Sequence, residues 1–251
     1  MKVIGVNFFL KHSVYVVVYI GRTFCRHNAD IVIVLDQSTS VVASNYDNWF
    51  TQMLGFACNI TQAYDISPYH TQIGLLKYSH QIDVGFYLNS YGNKPAVIRA
   101  IKRQDIIGGD TNVAEALKRT RDDMFSPVHG ARGGVPKIVF LVTDGTPNVE
   151  ADRTAPEAKA TRDAGIEIFV VGVTGKVTRS FMELIASKPL DSHVYFIESF
   201  SGLADMAEIL INVSCGTLPR STATTTTTTT PPTTTTTTPL PTTTTTPCEF
   251  Q

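Results

Sequence analysis

The stretch ADIVIVLDQSTS, residues 29–40, decides the fold. Its continuous apolar run, "IVIVL", is too short for a helix and too unbroken for a half-exposed strand, so it reads as a strand buried on both faces. The run ends in Asp36, and "DQSTS", residues 36–40, then places one carboxylate and three hydroxyls within five residues. Three readings of that loop are open: a helix-capping turn, a catalytic nucleophile loop, or one wall of a metal site.

Outward from this strand, short apolar runs alternate with longer amphipathic stretches. "NYDNWFTQMLGFACNITQAYD" carries Trp49, Met53, Phe56, Ile60 and Tyr64 at helical spacing. Asn59 falls on the opposite, wet face of that helix, and Cys58 on its flank, where an unbridged thiol is expected. "TQIGLLKYS" and "IDVGFYL" are strands joined by a tight turn, followed by the short helix "KPAVIRAIKR" and the helix "TNVAEALKRTRDDMF". "PKIVFLVTD" repeats the pattern of the first strand. A helix near 154–164, strand "IEIFVVGV", helix "RSFMELIAS", strand "HVYFI" and helix "GLADMAEILINVS" complete the order. The fold class is α/β: a doubly wound, mostly parallel sheet of about six strands with helices on both faces, Rossmann-like.

In such a sheet ligands gather at the carboxyl ends of the strands. Two strands end in an acid there, at Asp36 and Asp144. Two carboxylates on one rim repel unless something positive lies between them, and a divalent cation is the simplest resolution. "GGDTN" adds glycines that permit close backbone approach and Thr111 at the opening of a helix, where its plain alternative is a helix cap. Asp36, Ser38, Ser40, Thr111 and Asp144 offer only oxygen, which selects Mg2+, with Mn2+ or Ca2+ as alternatives, over zinc or copper.

Together "DQSTS", "GGDTN" and "VTDG" resemble the metal-ion-dependent adhesion site of the von Willebrand factor A (VWA) domain family, in the family's order. The resemblance spans about residues 29–214 and is greatest to extracellular-matrix members such as matrilins and collagen-associated domains. It implies that Ser38, Ser40 and Thr111 bind the metal through hydroxyls, with Asp36 and Asp144 acting directly or through water. It also implies that a partner's Glu or Asp completes the coordination. Ala114 and Thr39 stand where the family often has glycine, and neither removes an oxygen ligand.

The remaining sequence fits an extracellular setting. Four cysteines allow three pairings, and Cys25 and Cys215 bracket the part that looks folded, where a bridge is expected, as is frequent in the matrix members. "NIT" at Asn59 and "NVS" at Asn212 are N-glycosylation triplets. Residues 1–24 form a possible signal segment, although a small-x-small cleavage pattern is missing. The VWA-like part is assigned to 25–215, a Thr/Pro-rich, mucin-like linker to 216–247, and the start of a further module to 248–251, with Cys248. Lys plus Arg number 21 against 22 Asp plus Glu, with no basic stripe, which excludes nucleic acid as a partner class.

No catalytic residue is assigned and no small-molecule substrate is expected. A haloacid-dehalogenase-like phosphatase would need a second Asp where Ser38 stands. The expected partner is an extracellular matrix protein or glycoprotein presenting an acidic side chain, with collagen among the candidates. The alternative is a matrix-assembly module whose metal site is vestigial or only stabilising.

Overall fold

A computed structural model describes residues 28–39 and 46–217 of the chain. Ser40, Cys25, the segment 1–24 and residues 218–251, which hold all of the linker but its first two residues, lie outside the described residues, so the expectations placed on them stand as sequence readings.

Strand β1 (Asp30–Asp36) is buried along its whole length. Ile31, Ile33 and Leu35 feed one core and Val32 and Val34 feed another, as the two-residue period of a strand requires when both faces are covered. Full burial of each such side chain contributes about 1.5–3 kcal/mol, so a charge introduced at Val34 would undo the layering at its centre. The other strands are β2 (Gln72–Tyr78), β3 (Ile82–Phe86), β4 (Lys137–Thr143), β5 (Ile166–Val173) and β6 (Val194–Ile197). They form one sheet in the order β3-β2-β1-β4-β5-β6. All neighbours are parallel except β3, which runs antiparallel to β2 at the edge. Only residues 79–81 separate that pair, too few for a crossover.

Helices α1 (Tyr46–Ala63), α2 (Lys94–Lys102) and α6 (Leu203–Thr217) cover the face of Ile31, Ile33 and Leu35. The opposite face is covered by α3 (Val113–Arg119), α4 (Thr154–Asp163) and α5 (Arg179–Ile185). Local chemistry sets the starts of several of these. Asn93 Oδ1 accepts the Ala96 N–H at 3.0 Å ahead of α2, with a proline in the first turn, and Thr178 Oγ1 accepts the Phe181 N–H at 3.3 Å ahead of α5. From β1 the chain winds one way through β2 and the other way through β4. That places the topological switch point, and hence the crevice, between the carboxyl ends of β1 and β4.

Helix α1 corrects one expectation. Met53, Phe56, Ile60 and Tyr64 are buried as the spacing predicts, but Cys58 is fully buried too, rather than at a flank. The reason is α6, which packs alongside α1 and turns its flank into interior. Asn59 is half-buried rather than fully on a wet face. Tyr64 Oη and Ser214 Oγ meet at 2.7 Å in this seam and tie the ends of the two helices. Cys58 is a buried thiol and Cys215, near the end of α6, is disulfide-bonded. Of the histidines, His193 is a satisfied core residue, its ring reaching Glu167 Oε1 and the Pro189 carbonyl at 2.8 Å each. Among the described residues no helix is long and apolar enough to cross a membrane.

Candidate metal centre

The register of β1 against β4, with Leu35 opposite Val142, sets Asp36 level with Thr143 and brings Asp144 onto the same rim. Both aspartates are 1% exposed, as is Ser38, and Thr111 is 6% exposed. The structure thus draws together four of the five residues read as ligands, and Ser40 is outside the described part.

Among the described residues the donors to Asp36 are neutral. Its Oδ1 accepts the Ser38 N–H at 2.9 Å, and its Oδ2 accepts the hydroxyls of Thr143 at 3.0 Å and Tyr78 at 3.3 Å. Burial pushes the Asp36 carboxyl up to about 6 and the charge of Asp144 pushes it the same way, while hydrogen bonds from Ser38 and Thr143 pull it back. Burial also holds the Tyr78 hydroxyl well above its ordinary range, with Asp36 adding to the effect. Asp36 is therefore a carboxylate held against the local electrostatics, an arrangement that costs stability unless a positive charge joins it.

The third loop approaches from "GGDTN". Gly108 and Gly109 have φ of 83° and 115°, a region that favours glycine, and this bend carries the chain back toward β1. The helix cap of α3 is Asn112, whose Oδ1 accepts the Glu115 N–H at 3.0 Å. Thr111 stands one residue earlier, so the capping explanation for it falls. Its N–H donates to Asn148 Oδ1 at 2.7 Å, and its carbonyl accepts the N–H groups of Asn148 and Val149 at 3.2 Å each. Asn148 Nδ2 also donates to Asp110 Oδ1 at 3.1 Å. Asn148 thus fastens the Thr111 loop to the loop of Asp144. Sequence reasoning missed Tyr78, Thr143 and Asn148 as parts of the site. The first two were findable as the ends of the strands that flank β1, whereas nothing in the sequence singled out Asn148.

The donor set fits a hard cation. Among the described residues no group of three or more His, Cys, Asp or Glu could hold a metal, so an ion on this rim must draw on hydroxyls as well as on Asp36 and Asp144. Ser38 and Thr111 supply hydroxyls there. On the same rim Ser79 Oγ is buried with no hydrogen-bond partner among the described residues, a sign of unused polar capacity. Oxygen donors of this kind suit Mg2+, Mn2+ or Ca2+.

Residues 30–209 match the model of the von Willebrand factor type A domain. The chain belongs to that family. Within it the relatives are of extracellular-matrix type. This VWA domain is 34% identical over 190 residues to matrilin-2 of Mus musculus, covering 74% of this chain and 19% of matrilin-2. It is 35% identical over 176 residues to the collagen alpha-6(VI) chain of Homo sapiens, covering 69% of this chain and 7% of that one. The chain thus spans a small part of the curated relatives it matches. Proximal thread matrix protein 1 from the mussel byssus, in a structure with zinc in its MIDAS motif, aligns with a TM-score of 0.72 at 26% identity, over 76% of this chain and 49% of that one. The relatives it matches are thus a matrilin and a collagen VI chain, and the structural neighbour is a thread matrix protein.

The glycosylation triplets both lie in helices. Asn59 and Asn212 are half-buried in α1 and α6, and the hydroxyls that complete their triplets, on Thr61 and Ser214, are buried and donate to the carbonyls of Ala57 at 2.8 Å and Leu210 at 2.7 Å.

Proposed function

We propose that this VWA domain is a matrix adhesion module that binds protein ligands through a divalent cation held by Asp36, Ser38, Ser40, Thr111 and Asp144. The observation that carries the reading is the pair Asp36 and Asp144, buried on one rim with neutral donors around Asp36 and a carboxyl pushed up to about 6. When bound, the cation supplies a positive centre able to accept one more oxygen. The two carboxylates nearly neutralise it, so it stays attractive to a Glu or Asp of the partner. Asp36 is oriented for this by Ser38, Thr143 and Tyr78, and Thr111 by Asn148. Mg2+ is the proposed ion, with Mn2+ or Ca2+ as substitutes. The zinc found in the mussel protein's MIDAS motif supports divalent occupancy of this kind of site.

The proposed partner is an extracellular matrix protein or glycoprotein presenting an acidic side chain, with collagen a leading candidate given the matrilin and collagen relatives. The module is carried as residues 25–215, closed by a Cys25–Cys215 bridge. The disulfide-bonded state of Cys215 supports that pairing. Residues 216–247 then serve as a glycosylated stalk, with N-linked sugars at Asn59 and Asn212 attached before the helices pack.

The reading is tested by capture of the full chain on a panel of immobilised matrix proteins, with Mg2+ or with EDTA, for the wild type and for Asp144→Ala. Binding that is lost under EDTA and in the variant is expected. Binding that survives both would replace metal-bridged adhesion with the matrix-assembly alternative.

A further inference from the structure

Gln37 and Thr39 occupy the two positions of "DQSTS" that are not read as ligands, and each of them holds the second metal loop. Gln37 is 1% exposed. Its N–H donates to the Tyr78 carbonyl at 2.8 Å, and its side-chain Oε1 accepts the N–H of Ile107 at 3.3 Å. Thr39 closes a reciprocal pair with Gly109: its N–H donates to the Gly109 carbonyl at 2.7 Å, and its Oγ1 accepts the Gly109 N–H at 2.8 Å. The other side of Gly109 is occupied by His80. A Cβ placed on Gly109 would lie 2.0 Å from His80 Nδ1, so the imidazole fills the space that the missing side chain leaves. The loop that delivers Thr111 is therefore gripped at Ile107 and Gly109 from the loop that delivers Asp36 and Ser38, and is backed by His80.

We propose that Gln37 and Thr39 are positioning residues of the metal site, which fasten the "GGDTN" loop to the "DQSTS" loop and so hold Thr111 ready before any ion arrives. The inference rests on the metal reading of the preceding section. Its physical basis is that a loop carrying two glycines in left-handed conformations has wide freedom when unheld, and ordering it on metal binding would subtract from affinity. Of the two residues, Thr39 gives the cleaner test, because its hydroxyl is at the surface and its removal disturbs no core packing.

Mn2+ binding to the full chain is measured by titration calorimetry for the wild type, Thr39→Val, Thr39→Ser and Gln37→Met, together with the melting temperature of each in EDTA. Valine keeps the shape and deletes the acceptor, while serine restores it. Thr39→Val is expected to bind Mn2+ about fivefold to tenfold more weakly, the effect of losing one hydrogen bond that orders a ligand loop. Thr39→Ser should recover to within about twofold, and the metal-free melting temperature of Thr39→Val should stay close to the wild type. Gln37→Met should weaken binding in the same direction, and its EDTA melt separates that from a fold defect. Wild-type affinity in both Thr39→Val and Gln37→Met, or a serine variant as weak as the valine one, would overturn the inference and leave the metal reading standing. A wild-type chain that takes up no Mn2+ overturns both.

Discussion

Strand β1 begins and ends with aspartate, and its two ends have opposite fates. Asp30 is fully buried and completely answered: Arg132 places its guanidinium within 2.7 Å of Oδ1 and donates its own backbone N–H to Oδ2 at 2.7 Å, while Gln72 Nε2 adds a contact at 3.3 Å. Asp36, at the other end of the same strand and equally buried, has three neutral donors around it and a second carboxylate near it. The same side chain on the same strand is therefore met by a guanidinium at one pole and, among the described residues, only by neutral donors at the other. Burial of an acid does not mark a functional site. What marks one is burial without a countercharge.

The contrast is open to attack from both ends. The largest effect is expected at the paired end. Arg132→Met strands Asp30 as a buried, unpaired carboxylate and should lower stability by about 3–5 kcal/mol in chemical denaturation. A loss below about 1 kcal/mol would mean that Asp30 is no better compensated than Asp36.

At the other pole, saturating Mg2+ should stabilise the wild type by about 3 kcal/mol at a hundred times its dissociation constant, a rise of at least about 5 °C in the thermal midpoint. Asp144→Ala should show no such rise.

Asp36→Asn should be smaller and of unusual sign. In EDTA at pH 7 this loss of a charge should stabilise the domain, by on the order of 1–2 kcal/mol, while removing the Mg2+ response. The effect carries a pH signature. Because the folded-state carboxyl of Asp36 is raised to about 6 from an ordinary value of 3.8, its favourable contribution is present in acid and is lost as the pH rises through about 6. The advantage of Asp36→Asn over the wild type in EDTA should therefore shrink as the pH falls from 7 to 4. An advantage that grows toward acid would reverse the assigned sign.

The smallest expected effect is at the tie between loops. Asn148→Ala removes the acceptor of the Thr111 N–H and should lower stability by about 1 kcal/mol and metal affinity by a fewfold, read by melting and calorimetry. Unchanged affinity would confine Asn148 to a structural part.

Much of this was legible in the chain itself, for reasons of period and punctuation. "IVIVL" and "KIVFLV" announce doubly buried strands because nothing polar interrupts them, and the acids that end them are visible by position alone. Less accessible was anything set by packing between distant elements. Cys58 looked like a flank residue because one helix was considered against one sheet, and the second helix beside it could not be inferred from spacing. For Thr111 a helix cap stayed open as the plain alternative because caps precede helices, yet Asn112 does the capping. Asp30 drew no attention, since its partner Arg132 lies 102 residues away in a loop with no motif. The parts played by Gln37 and Thr39 were hidden because their partners, Ile107 and Gly109, are 70 residues downstream.

On the proposed reading, Asp36 and Asp144 hold a cation between them. Titration calorimetry of Mg2+ into the full chain at pH 7.5, for the wild type and for Asp144→Ala, tests it most directly. One ion bound by the wild type and none by Asp144→Ala is the predicted result. An equal affinity in the two, or no uptake by the wild type, would contradict it.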